Sequence, residues 1–174
     1  EVFCRDLFRA MGEQGTRSRY FHLYLNGQYW GMYMFEERAQ EDHAASYFGG
    51  DADGYDVVQT SNHSNFFYEL GHGTLDGWQT TWNLARACAA NPVNANYFAL
   101  LGRDANGVRV PANPVYIDPD HLAAYMLLHY YTGDGDGPLS NFLGMNRANN
   151  WRGYRPRDGA FGWRFFPHDC EHTL

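Results

Sequence analysis

The run Arg19-Tyr-Phe-His-Leu-Tyr-Leu25, then Asn26-Gly27, then Gln28-Tyr-Trp-Gly-Met-Tyr-Met-Phe35 decides the first element of the fold. Two stretches of aromatic and β-favouring side chains flank Asn-Gly, the dipeptide that tolerates positive φ at both central positions of a type I′ turn. The segment therefore reads as a β-hairpin. On its N-terminal side, Val2, Phe3, Leu7, Phe8, Ala10 and Met11 recur at helical spacing within residues 1–13, and Gly12 and Gly15 end that helix. On its C-terminal side, Glu36 to Tyr47 is polar with Ala44, Ala45 and Tyr47 along one side. This is a second helix, stopped by Gly49-Gly50.

Further along, residues 51–75 are rich in Asp, Asn, Ser, His and Gly and read as a surface excursion carrying a short Tyr55-Asp-Val-Val58 strand. Trp78 to Ala90 reads as a helix stopped by Asn91-Pro92, and residues 102–114 as a loop turning at Asn106-Gly107. Asp118-Pro119-Asp120 opens a helix, with proline in the first turn, that continues from His121 to Tyr131. A Gly/Asp loop (133–138), a short apolar segment, an Asn/Arg-rich loop (146–160) and a strand at Phe161-Gly-Trp-Arg-Phe-Phe166 complete the chain. The fold class is α+β.

Hydrophobic residues at 44% and charged residues at 19% of 174 fit a globular domain large enough for a sizeable core. Most of the aromatic residues, 17% of the chain, lie in apolar runs and are assigned to that core; a surface that stacks on sugars or bases is the alternative. A net charge of −7 argues against a nucleic-acid partner, which needs a basic stripe. All 13 basic residues are arginine, so no lysine ammonium is available for catalysis or phosphate contact. Cys4, Cys88 and Cys170 have no CxxC spacing, which disfavours a zinc ribbon. No apolar run reaches the roughly 18 residues of a membrane span.

Two stretches have the residue types for phosphoryl transfer. In Gly133-Asp-Gly-Asp-Gly-Pro-Leu-Ser-Asn141, Asp136 precedes Asn141 by the D-x-x-x-x-N spacing of a kinase catalytic loop, where the aspartate accepts the substrate hydroxyl proton and the asparagine holds magnesium. A solvated turn has the same composition. In Trp163-Arg-Phe-Phe-Pro-His-Asp169-Cys-Glu171-His-Thr173, an apolar strand runs into acids suited to a hard cation. The segment from His168 to His172 also fits H-x-x-E-H, a zinc metallohydrolase motif that needs both histidines one helical turn apart; Pro167 and the strand before it argue otherwise. Asp51-Ala-Asp53-Gly54 and Asp134-Gly-Asp136-Gly137 resemble incomplete calcium loops, and Asp136 with Glu171 is a formal glycosidase pair with no supporting spacing. His22 and His129, on apolar elements, read as core residues.

The segment from Tyr20 to Tyr33, with Glu37-Arg38, Ala45-Ser-Tyr-Phe-Gly-Gly50, Tyr55-Asp-Val57, Ile117-Asp, Asp120-His-Leu-Ala-Ala-Tyr125 and the closing His168-Asp-Cys-Glu-His-Thr-Leu174, resembles the CotH (spore-coat protein H-like) kinase family. The similarity spans nearly the whole chain and is weakest around residues 60–75. It implies an atypical protein-kinase-like, two-lobed fold. Residues 1–50 would be the end of the N-lobe and the hinge, 51–115 a variable excursion and helix, and 116–174 the catalytic and metal-binding segment. The resemblance also implies ATP and Mg2+ or Mn2+ as cofactors, a serine-bearing protein as substrate, further domains in a longer chain, and an extracytoplasmic location (secreted, envelope or spore surface). Carried onto this sequence, it implies Asp136 as the catalytic aspartate and Asn141, Asp169 and Glu171 as metal ligands. It also places Glu37 beside the nucleotide and Asp6 as a partner for a lysine. The N-lobe is expected to be incomplete, with the glycine-rich strand and the phosphate-contacting lysine before residue 1. Many relatives read Tyr-Asp-Val-x-Lys where this chain has Tyr55-Asp-Val-Val-Gln59, which leaves a non-catalytic pseudokinase module as the alternative.

Overall fold

The computed structural model describes residues 1–61, 68–144 and 147–173. Positions 62–67 of the expected excursion, 145 and 146 beyond the Gly/Asp loop, and residue 174 lie outside the described residues.

The hairpin forms as its turn chemistry dictates. Strand β1 (Ser18–Leu25) pairs antiparallel with β2 (Gln28–Glu36), Leu25 facing Gln28, and the connecting Asn26 and Gly27 take φ of 50° and 80°. The two strands make a sheet of their own. Tyr20, Tyr24, Tyr29, Trp30, Met32 and Phe35 all remain exposed, so the hairpin aromatics do not join the core as expected from their apolar runs. His22 is likewise exposed, with Nδ1 3.1 Å from the Tyr29 hydroxyl, and is not a core residue.

The core is organised by a four-stranded antiparallel sheet in the order β4-β3-β5-β6, with β3 at Tyr55–Thr60, β4 at Tyr68–His72, β5 at Trp151–Pro156 and β6 at Arg164–Pro167. This corrects two expectations. Residues 55–58, assigned to a surface excursion, are buried in an inner strand, and part of the Asn/Arg-rich stretch 146–160, assigned to a loop, is the other inner strand. Alternation gives the sheet two apolar faces. Val58, Trp151 and Phe165 pack with Phe8, Tyr125, Leu128 and Trp163, whereas Tyr55, Val57, Tyr154 and Phe166 pack with Ala39 and Ala44.

Helices cover these faces: α1 (Val2–Ala10), α2 (Glu41–Phe48), α3 (Asp76–Ala90), α4 (Asn94–Leu100, not anticipated) and α5 (Pro119–Thr132). Asp118 caps α5, its Oδ1 accepting from the backbone N–H groups of Asp120 and His121, and Pro119 takes the first turn. On α3, Thr81 Oγ1 accepts from the indole Nε1–H of the fully buried Trp163 at 2.9 Å. Burying a large apolar side chain is worth about 1.5–3 kcal/mol. A net hydrogen bond is worth about 0.5–1.5 kcal/mol. Trp163, Phe8, Phe166 and Leu128, all buried, therefore outweigh the individual polar ties in holding helices to sheet.

This architecture positions the site in two ways. Helix α5 ends on Gly133, at φ 68° in the left-handed conformation, and releases the Gly/Asp loop from the core. The pairing of Trp151 with Pro167 sets the residue before β5, Asn150, beside the residues after β6, His168 and Asp169.

Candidate active site

The loop after α5 is anchored by a buried pair. His129 Nδ1–H donates to Asp134 Oδ2 at 2.7 Å, with both side chains out of solvent. Burial alone would raise the Asp134 pKa. The His129 bond, the Asp136 backbone N–H at 3.1 Å from Oδ1 and the Cys170 thiol together hold it below the ordinary aspartate value. Gly137 closes against the pair: a Cβ there would lie 2.7 Å from His129 Nδ1 and 2.9 Å from Asp134 Oδ2. Asp136 is thereby turned toward three side-chain donors. Ser140 Oγ reaches Oδ1 at 2.5 Å, and Nδ2 of both Asn149 and Asn150 reach Oδ2 at 3.1 Å.

Asp169 arrives from the end of β6. Its φ of 57° and the 47° of Asn150 are left-handed values that Asp and Asn tolerate best among non-glycine residues. Its backbone N–H donates to Glu1 Oε1 at 2.9 Å, and that carboxylate is held in turn by Arg5 Nη2 at 2.7 Å. The Asp169 carboxyl is pushed up to about 6, first by burial, then by its hydrogen bond to Glu171 and by the charges of Glu171, Glu1 and Asp136. Asn150 Nδ2 also stands 3.5 Å from the Asp169 carbonyl, so one amide touches both acidic segments. Buried Cys170 lies close enough to Asp134 to help lower its pKa.

Beside these acids the floor of a polar cleft is formed by Arg152 and His168. They line one recess with Asn149 and Asn150 and an adjoining recess with Glu37 and Arg38. Glu37 is committed to protein donors: Oε2 accepts from the Arg17 N–H at 2.8 Å and Oε1 from the Tyr47 hydroxyl at 2.8 Å.

Of the residues singled out in the sequence, Asp136, Asp169 and Glu171 are thus in electrostatic contact, and Glu37 lies along the same cleft. Asn141 lies on the same loop but lines a separate recess, which His129, Asp134 and Gly135 also line. Its side chain lines that recess with Met126, Tyr130 and Leu139 and forms no hydrogen bond to Asp136 or Asp169, while its backbone N–H donates to the Gly135 carbonyl at 2.8 Å. Asp6 pairs with Arg9 at the surface, 3.6 Å away. The zinc reading is not realised: residues 168–170 are not helical, Asp169 has positive φ, and His172 packs on Phe142 while His168 lines the cleft. Among the described residues no three His, Cys, Asp or Glu side chains gather within reach of one metal ion. Asp51 caps a turn, its Oδ1 accepting from the Asp53 N–H, in place of any calcium loop. Sequence reasoning passed over Ser140, Asn149, Asn150 and Cys170; the Asn-Asn doublet immediately before Trp151 was the available signal.

Over residues 1–174 the sequence matches the family described as CotH kinase protein. The chain belongs to the CotH kinase family. No curated protein matches it. The α+β architecture, with five helices and two antiparallel sheets among the described residues, is that of a CotH kinase-like domain. No described helix of this CotH domain is long and apolar enough to cross a membrane. For a CotH kinase-like domain the cleft between the α5 loop and the end of β6 is the natural candidate for chemistry, because it gathers acids, amides and cations within one polar recess.

Proposed function

We propose that this CotH domain transfers the γ-phosphoryl group of ATP to a serine hydroxyl of a protein substrate. The observation that carries the reading is the Asn150 amide, which joins an acid on the loop after α5 to the turn after β6 that bears a second acid. Loop acid, then strand, then second acid is the order that phosphoryl-transfer sites of the kinase type use. In this reading Asp136 orients the serine hydroxyl and takes its proton. A carboxylate offers about four acceptor positions, and three are filled by Ser140, Asn149 and Asn150, which fix the group and leave one for substrate.

The residues fit a divalent cation. Burial first, and then the neighbouring Glu171, Glu1 and Asp136, disfavour the charged form of Asp169, and a cation beside its hard oxygens would offset that; such oxygens suit magnesium or manganese. Asp169 and Glu171 would hold the ion, which when bound neutralises phosphate charge. Asn150 and Glu1 hold the Asp169 turn in place, and the His129–Asp134 pair sets the Asp136 backbone.

The test is ATP-dependent labelling of a serine-bearing acceptor protein, paired with thermal melts. ATP is expected to raise the melting temperature with magnesium or manganese and hardly at all with EDTA, because an anion cannot approach this acidic site unaided. Equal stabilisation with and without metal would count against the reading. Metal-dependent binding without transfer to any serine would identify a pseudokinase instead.

A further inference from the structure

We propose that Arg152, seated between the two recesses of the cleft with His168 and Arg38 beside it, forms an anion-binding subsite for phosphate oxygens. On the reading given above, its occupant is the phosphate chain of the nucleotide.

The argument begins with strand alternation. On β5, Trp151 and Gly153 point to one face of the sheet, and Arg152 and Tyr154 to the other. Across the ladder Arg152 faces Gln59 of β3 on one side and Phe166 of β6 on the other, so neither strand neighbour is an acid. The nearest acids are already engaged: Glu69 accepts from Gln59 Nε2 at 2.6 Å and Glu36 pairs with Arg5 at 2.7 Å. Arg152 consequently makes no ion pair among the described residues, and its Nη1, shielded from solvent, has no hydrogen-bond acceptor.

The two most buried arginines of this chain are treated differently. Arg5 pairs with Glu1 and Glu36, and Arg155 donates from Nε to the Val115 carbonyl at 2.7 Å while lying over the Tyr116 ring at 4.6 Å. Around Arg152 the charges are of both signs, and none of the described acids pairs with it. Burial first, and then the charge of Arg38 with a smaller contribution from Arg5, disfavours its cationic form, although Glu36 and Glu69 act the other way. A guanidinium has five donors in a fixed fork and does not deprotonate in proteins, so the site cannot relax by losing its proton. What relieves it is an anion with several acceptor oxygens, and phosphate matches the fork two bonds at a time. Because Asn149 and Asn150 line the same recess, a phosphate on Arg152 lies along the cleft that holds Asp136 and Asp169. In a chain without lysine, this arginine supplies the cation such a site needs.

The probe is inorganic tripolyphosphate with excess magnesium, titrated into the 174-residue chain by calorimetry, with Arg152→Gln, Arg152→Lys and the exposed control Arg86→Gln. The expected result is saturable binding by the unaltered protein, weakened about tenfold or more in Arg152→Gln, partly kept in Arg152→Lys, and unchanged in Arg86→Gln. Without ligand, Arg152→Gln should melt no lower than the unaltered protein, since it removes an unpaired charge; a clear drop would mean that Arg152 serves the fold and would overturn the subsite. So would tripolyphosphate binding that is absent, or equal in Arg152→Gln, or lost equally in Arg86→Gln. Failure of the two ideas is distinguishable. Arg152-dependent tripolyphosphate binding with no phosphoryl transfer keeps the subsite and removes the kinase reading, whereas undiminished ATP transfer by Arg152→Gln does the reverse.

Discussion

The side-chain amide of Asn150 donates to the Asp136 carboxylate across 3.1 Å, 14 positions apart in the chain, and the same nitrogen lies 3.5 Å from the Asp169 carbonyl. Asn150 can do this because it precedes β5 in a left-handed conformation while Asp169 follows β6 in another, and the two strands pair antiparallel at those ends. A single polar side chain thus sets the spacing between the two acids that the proposed chemistry separates into different roles.

Those roles predict opposite outcomes for two isosteric changes. Asp169→Asn keeps shape but removes the charge that would hold a cation, and is expected to abolish the metal-dependent rise in melting temperature with ATP. Asp136→Asn is expected to preserve that rise while lowering phosphoryl transfer by about 10²–10⁴-fold, the range for losing a positioned proton acceptor. Parallel melts and transfer assays decide it; loss of nucleotide stabilisation in Asp136→Asn would show that the roles are misassigned.

Asn150→Gly retains the positive φ and deletes the amide. It is expected to destabilise the chain by about 1.5–3 kcal/mol, the scale of a hydrogen bond to a charged group, and to weaken the metal-dependent nucleotide shift. Asn141→Ala is expected to leave that shift intact, because the Asn141 side chain faces a different recess. Denaturant unfolding and thermal melts of both variants check this, and the reverse ranking would return the amide role to Asn141.

Gly137→Ala places a methyl group 2.7 Å from His129 Nδ1, against a pair with no room to move. A destabilisation of about 1–3 kcal/mol is expected, as for overpacked interiors, together with loss of transfer as Asp136 shifts. Gly135→Ala meets only the Asn141 amide, at 3.1 Å, and should be milder. Calorimetric melting temperatures of the two variants give the comparison.

Stability should fall on mild acidification. His121 is buried, donates from Nδ1 to Glu13 Oε2 at 2.6 Å and accepts the Phe165 N–H at Nε2, 2.7 Å away, so a second proton would break the latter bond. Burial holds its pKa below 6.5, outweighing Glu13. The unfolded chain then binds the proton more readily, and the stability this histidine contributes above pH 6.5 is lost as pH drops through the folded value. Asp169 works in the opposite sense: its contribution is complete below 3.8 and disappears as pH rises through about 6. Melting temperatures from pH 8 to 5 should therefore fall more steeply in Asp169→Asn than in the unaltered protein, and less steeply in His121→Gln.

Local chemistry was legible wherever a few adjacent residues dictate one conformation. Asn26-Gly27 specifies its mirror-image turn because both residues accept positive φ, and Asp118-Pro119 specifies the start of α5 because one caps and the other needs no N–H partner. The closing His168-Asp-Cys-Glu segment and the hairpin were enough to indicate the CotH family. Beyond these the one-dimensional pattern misleads. Trp151-Arg-Gly-Tyr-Arg-Pro156 has the composition of a loop, yet it is an inner strand because β3 and β6 satisfy its backbone on both sides and Arg155 finds a carbonyl and a ring. The hairpin aromatics have the composition of a core, yet they stay exposed, because their two strands form a separate sheet that no layer of the described residues covers. Which asparagine meets Asp136, and that Arg152 makes no ion pair among the described residues, were decided by strand register. Shifting β5 by one residue would turn Arg152 to the opposite face and carry Asn150 away from Asp169, and the register is held by Trp151 and Tyr154 filling the two faces of the assembled sheet.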